Sequence, residues 1–432
     1  MDEAGGPVPA VTQVALSLED RAKAEGARGE AAQFAMRIIL GQARAVGASR
    51  LIDVTSAHID GCLYHGQVSL DFAERLAAGG ARVRVPATLN VGALDLLHPS
   101  LYRGDPTTAG KARRLMDLYG GMGCRPTWTC APYQVSARPG LGEQVAWAES
   151  NAIVFANSVL GARTERYGDF IDICAAITGR VPDAGLHRTE NRRGQVLFEL
   201  ADIPRRLLLD DVLYPVLGHL VGGTAGKLVP VIQGLSETTS EDQLKALGAA
   251  AASSGAVALF HAVGITPEAS TVEEALQGSS PTRVVEVTPA MLRRARDELT
   301  TTGDGTITAV CLGTPHFSVL EFEHLVRTFE GVHPDVRLYV STARDTLGEV
   351  RGRGWLSTLE SAGVTVVTDT CTYIAPILDP GRQVVMTNSA KWAYYAPGNL
   401  GAEVVFGSTL ECVRSAARGR VWRDPDLWEP SG

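Results

Sequence analysis

The chain lacks any apolar run near the roughly 20 residues that span a bilayer. Its start, Met1-Asp-Glu-Ala-Gly-Gly-Pro7, lacks a basic stretch followed by an apolar signal core. A membrane span and a secretory leader are therefore not expected, and a cytoplasmic location is. There is no Cys-x-x-Cys pair, and seven cysteines, an odd number scattered over 432 residues, do not make a disulfide framework. Reduced thiols follow. Neither Gly-x-Gly-x-x-Gly nor a complete phosphate loop occurs, so nucleotide binding gains no support. Positive charge is not in excess either: the formal net charge is −8, whereas nucleic-acid binding requires clustered Lys and Arg. Internal repeats, heptads and low-complexity tracts are missing as well.

What is present is ordinary globular material, 45% hydrophobic and 20% charged, in a chain long enough for two or three domains. Short β-branched runs alternate with helical patterning. Thr306 to Cys311, Val364 to Cys371 and Val384 to Lys391 each read as a buried strand running into polar residues. A capping box at Ser318 and Glu321 opens one intervening helix. The same alternation recurs at Arg50 to Val54, Arg82 to Asn90, Arg125 to Tyr133, Val196 to Leu200 and Leu228 to Ile232. The fold class expected is α/β, several units with largely parallel sheets, and a site at strand carboxyl ends between domains. The expected division is a poorly ordered arm over 1–15, an N-terminal α/β domain over 16–205, a middle region over 206–290 and a C-terminal domain over 291–432.

Four cysteines lie in or beside polar loops near strand ends: Cys62, Cys130, Cys311 and Cys371. Cys124, Cys174 and Cys412 have neighbours that suit plain packing. A single free cysteine is most often a small buried hydrophobe. Four at strand ends weaken that reading and suggest a site assembled by the fold, for zinc or for an iron–sulfur cluster; spacing alone does not choose. Lys391, just after Asn388-Ser389, is either a surface lysine or an anion holder. His58 and His65 sit in a dense polar loop, where a hydrogen-bonding histidine is commoner than a ligand. Glu149, Ser150, Asn151, Asn157 and Ser158 give polarity to an otherwise apolar helix, as a solvated face or as the border of a site. Arg163 either clamps an anion or bridges Glu165 or Asp169.

Taken together, Ser56-Ala-His-Ile-Asp-Gly-Cys62, Thr88-Leu-Asn90, Cys130-Ala-Pro-Tyr133, Trp147-Ala-Glu-Ser150, Ala156-Asn-Ser-Val-Leu-Gly-Ala-Arg-Thr164 and Thr387-Asn-Ser-Ala-Lys391 resemble the aconitase X family over about residues 30–410. The resemblance implies an aconitase-like fold and an iron–sulfur-dependent dehydratase, a hydro-lyase acting on a small hydroxy acid. The substrate would be cis-3-hydroxy-L-proline, giving pyrroline-2-carboxylate, or alternatively 5-phosphomevalonate. Gly61-Cys62-Leu63 and Asn90-Val91 depart from the pattern of the phosphomevalonate branch and tilt the choice toward hydroxyproline. A non-catalytic metal-binding or regulatory homologue is the rival from another class.

Carried over by motif, the cluster ligands are Cys130, Cys311 and Cys371, with Cys62 a possible addition and the cluster anywhere from a two-iron to a four-iron form. Lys391, Glu149 and Ser150 are the implied catalytic residues. Ser56, His58, Gly61, Asn90, Arg163 and Lys391 are the candidates for binding substrate. No serine-rich swivelling domain is found in the chain. A separate small swivel-domain subunit, contributing part of the general base, is therefore expected, making this the large subunit.

Overall fold

The computed structural model describes residues 13–428 apart from Ser136, Asp304 and Glu330, so residues 1–12 of the expected arm lie outside the described residues. Strands Ala309–Phe317, Arg337–Thr342, Val364–Val367, Val384–Thr387 and Glu403–Phe406 form an all-parallel sheet with Ala309–Phe317 at its centre. From that central strand the chain first builds outward on one side, to Arg337–Thr342 and Val364–Val367. It then crosses to Val384–Thr387 on the other. Such a reversal opens a crevice beyond the strand ends. The Val319–Thr328 helix starts with the expected capping box, in which Ser318 and Glu321 each satisfy the other's backbone N–H. It buries Phe322 and Leu325 on the sheet.

One strand differs from the sequence reading. Cys311 is the third residue of a nine-residue strand, not its last. The strand was expected to end at Cys311, yet the backbone continues through Gly313 and Pro315, past a register shift, and pairs again at Phe317 with Thr342. Cys311 is consequently a mid-strand core residue.

Near the N-terminus, Ala57–Ile59 lies between Ala87–Leu89 and Ala146–Trp147 in a parallel three-stranded sheet. Leu51–Asp53 pairs antiparallel with Arg180–Pro182. The strands expected at Arg82 to Asn90 and Arg125 to Tyr133 shrink to Ala87–Leu89 and to a single bridge between Thr88 and Arg125. Pro86, Pro126 and Pro132 have no N–H to give a ladder.

The middle sheet, also parallel, runs His261–Ala262, Pro230–Gln233, Val196–Leu200, Arg283–Val287 across its width. It takes in Val196–Leu200, which lies before residue 206, where the middle region was expected to begin. Helices Leu213–Ala225 and Glu241–Ser254 close on it, and the alanine run from Ala249 to Ala252 is what lets them approach. A Cβ at Gly218 would stand 2.2 Å from the Leu247 carbonyl oxygen. Gly218→Val is therefore expected to destabilise the protein by about 3 kcal/mol through overpacking, read as a lower denaturation midpoint at unchanged m-value. One apolar core runs continuously from these helices to Cys130, Cys311 and Cys371, so the middle and C-terminal sheets share an interior. Among the described residues no helix is long and apolar enough to cross a membrane.

Candidate active site

The Ser150–Ser158 helix begins with a carboxylate turned back on its own first turn. Glu149, held at φ 71°, accepts the Ala152 N–H on Oε2 at 2.8 Å. Its Oε1 meets the ammonium of Lys391, from the first turn of the Ala390–Leu400 helix, in a buried ion pair. Ser150 Oγ donates to Glu149 Oε1 at 3.2 Å and accepts from Lys391 Nζ at 3.3 Å. Helix starts from two different sheets are thereby joined.

The pair shapes its own protonation. Burial alone would raise the Glu149 carboxyl, but the Lys391 charge and its hydrogen bond hold it below the usual range. Burial alone would lower Lys391, but Glu149, followed by Tyr373 and Cys130, lifts it well above the usual lysine range. Lys391 is a fixed cation across the physiological range.

Beside this pair lie Cys130, Cys371 and His316, all buried, with their ligand atoms within 4.8 Å of one another. Cys130 Sγ accepts the His316 backbone N–H at 3.3 Å. The imidazole is tied at both nitrogens, Nδ1 to Thr129 Oγ1 at 3.0 Å and Nε2 to the Thr370 carbonyl at 3.1 Å. Lys245 Nζ donates to the His316 carbonyl at 3.2 Å and fixes this segment from behind. Burial pushes His316 down to about 4, so the ring is neutral. Hydrogen bonding to Cys130, and then burial, push the Cys371 thiol well up. Two facing soft donors, free of any disulfide, and a neutral imidazole suit a thiophilic metal or an iron–sulfur group. With Nε2–H given to the Thr370 carbonyl, Nδ1 is the acceptor nitrogen of the ring and is met by the Thr129 hydroxyl.

In front of both sets is a cavity of about 580 Å³. Cys130, Glu149, Ser150 and Lys391 form one wall, Asp60, Asn90 and Arg166 line it elsewhere, and Tyr167, Tyr373 and Tyr395 add aromatic surface. Asp60 is anchored by its N–H to Asp172 Oδ2 at 2.7 Å, and Asn90 Nδ2 donates to Asp60 Oδ1. Burial, with Asp169 and Glu149 nearby, pushes the Asp60 carboxyl up to about 8. Burial also raises Asp172 to about 7, although backbone N–H groups of Gly61, Ile173 and Asp60 partly oppose it.

Domain profiles place this arrangement. They match the aconitase X first domain at residues 13–190, the second at 194–297 and the third at 307–418. The chain belongs to the aconitase X family. It is 45% identical to the cis-3-hydroxy-L-proline dehydratase of Pseudomonas aeruginosa, over 94% of this chain and 70% of that protein. It is 37% identical to the phosphomevalonate dehydratase large subunit of Methanothermobacter thermautotrophicus, over 94% of this chain and 99% of that one. The crystal structure of Thermococcus kodakaraensis aconitase X in its holo-form superposes with a TM-score of 0.84 at 31% identity, covering 93% of this chain and all of that one.

Against this aconitase X fold, the expected site residues separate. Cys130, Cys371, Glu149, Ser150, Lys391 and Asn90 converge. Cys311 does not: its buried thiol bonds Thr372 from mid-strand, and His316 takes the third place beside Cys130 and Cys371. Cys62 is likewise outside the group, its thiol donating to the Ile59 and Asn90 carbonyls at 3.3 and 3.4 Å. Ser56, His58, Gly61 and Arg163 are not cavity walls. His58 bonds Thr88 Oγ1 at 2.8 Å in the core, and the Gly61 N–H goes to Asp172 at 3.1 Å. Arg163 is spent on the His187 carbonyl and Thr189 Oγ1, while Arg166, three residues further along an irregular segment, reaches the cavity. The sequence reading missed His316, Asp60 and Arg166. A histidine after Gly313-Thr-Pro315, breaking an apolar run, was the available signal for the first.

Stability should register the buried acids. Asp172 has a native value above its unfolded one, so its penalty is absent below about pH 4, grows as pH rises and is complete above about 7. His58 and His187, both lowered to about 4, act oppositely and lose stability as pH falls from 6.5. Between pH 6.5 and 8 the raised acids still ionising in the folded protein are Asp172 and, up to about 8, Asp60 and Glu321. The melting temperature is expected to fall across that window, and to fall less in Asp172→Asn.

Proposed function

We propose that this chain is the large, catalytic part of a dehydratase that removes water from cis-3-hydroxy-L-proline. The single observation that carries the reading is the meeting of Lys391, Glu149, Ser150 and Cys130 at one cavity, with Cys371 beside Cys130, in a chain 45% identical to a cis-3-hydroxy-L-proline dehydratase. An iron–sulfur group held by Cys130 and Cys371, with His316 adjacent, would supply Lewis acidity toward the leaving hydroxyl.

The residues of the chain do the rest. Lys391 holds the substrate carboxylate, and its fixed charge stabilises the negative charge that develops when the α proton leaves. Ser150 orients that carboxylate, and Glu149 holds the ammonium in place. Loss of the Cα proton and of the C3 hydroxyl gives the cyclic enamine and water, and the enamine tautomerises to pyrroline-2-carboxylate. A separate small subunit bearing a swivelling domain completes the base, consistent with the large-subunit designation of the Methanothermobacter relative. The reaction takes place in the cytoplasm.

The test is anaerobic co-purification with the small subunit, followed by visible absorption and a pyrroline-2-carboxylate assay. A brown protein that turns over hydroxyproline is expected. A brown protein inert on it but active on 5-phosphomevalonate would move the substrate assignment, and iron without any dehydratase activity would favour a regulatory homologue.

A further inference from the structure

Lys391 is matched by Glu149, but Asp60 faces the cavity unmatched. Its Oδ1 receives Asn90 Nδ2, and no Lys, Arg or His pairs with the carboxylate among the described residues. The charged groups that act on it most strongly are Asp169, Glu149 and Asp172, all acidic. Asp172 is committed to the backbone N–H groups of Asp60, Gly61 and Ile173. Asp169 has His65 at 4.0 Å, and Glu149 has Lys391. Asp60 is thus the acid of this group that has neither a countercharge nor the backbone N–H donors that serve Asp172.

A sheltered acid among carboxylates keeps its proton near neutral pH and ionises readily only when beside a cation. The protein could have supplied it from Arg166, which lines the same cavity. That guanidinium instead donates Nη2 to the Ala252 carbonyl at 3.3 Å and makes no ion pair among the described residues. The remaining source of positive charge is the occupant. The substrate proposed above carries one, the ring ammonium of a cyclic amino acid, whereas a phosphorylated hydroxy acid carries none and would bring more negative charge toward Asp60.

We infer that Asp60 binds the ring ammonium of the substrate and is the residue that makes this cavity select a cyclic amino acid over a phosphorylated or uncharged-ring acid. The inference rests on the hydroxyproline reading, and it deepens that reading by assigning the discriminating contact.

The experiment uses the complex with its small subunit and compares two pairs of ligands. In binding, L-proline is compared with tetrahydrofuran-2-carboxylate, the same ring with oxygen in place of the ammonium. In turnover, cis-3-hydroxy-L-proline is compared with its ring-oxygen counterpart. The wild-type protein is expected to prefer the ammonium ring by about thirtyfold or more in both, the scale of losing one partner of a sheltered charge pair. In Asp60→Asn the ratio of the two kcat/KM values should collapse toward one, and Asp60→Ser serves if the first variant folds poorly. Equal affinity of the wild-type protein for both proline-like rings overturns the inference whatever the variants do. So does a variant that loses both substrates in proportion, which would mark Asp60 as structural or as a base. Failure of the hydroxyproline reading is seen separately, as a wild-type protein that turns over 5-phosphomevalonate and neither binds L-proline nor acts on hydroxyproline.

Discussion

Lys391→Met is expected to lower kcat by about a thousandfold and, independently, to destabilise the fold by about 3 kcal/mol or more. The two effects have different origins. Lys391 is 4% exposed and Glu149 6%, so removing the ammonium strands a carboxylate where water cannot solvate it. Glu149→Gln should produce a loss of similar size from the other side, because the ammonium is then the uncompensated charge. The double variant separates fold from chemistry. With both charges gone the stability penalty is expected to shrink to less than the sum of the singles, as for contacting residues, while activity stays lost. Melting temperatures and single-turnover rates on the same preparations check this. Full turnover in Lys391→Met would remove the lysine from the mechanism.

The second large effect concerns iron. Cys371→Ala and Cys130→Ala are each expected to reduce bound iron and the visible absorption to less than about a tenth of wild type, since too few soft donors remain. Cys311→Ala and Cys62→Ala should keep both signals, because those thiols bond Thr372 and the Ile59 and Asn90 carbonyls outside the group. His316→Ala decides whether the imidazole is a ligand or a support. A ligand role shifts the absorption or electron paramagnetic resonance spectrum of what iron remains, whereas a support role leaves the spectrum and lowers only its intensity. Colourless Cys311→Ala would restore the trio implied by the sequence motifs.

The sequence by itself determined the α/β class, the largely parallel sheets and helix starts such as the one capped by Ser318. These depend on local facts: β-branched runs that suit buried strands, and capping boxes at Ser318 and Ser408 that satisfy their own N–H groups. Its motifs likewise picked out Cys130, Cys371, Glu149, Ser150, Asn90 and Lys391, which the fold brings to one place. What only the tertiary structure decided is which other residues stand beside them. Cys311 and His316 lie on one strand five residues apart, and the strand's continuation past Gly313 turns the second, not the first, toward Cys130. Arg163 and Arg166 are three residues apart, and only the later one reaches the cavity. Asp60 looks like any loop aspartate until Asp169, Asp172 and Glu149, distant in sequence, close around it. Burial and charge at a point sum over all nearby chain segments, so no local pattern encodes them.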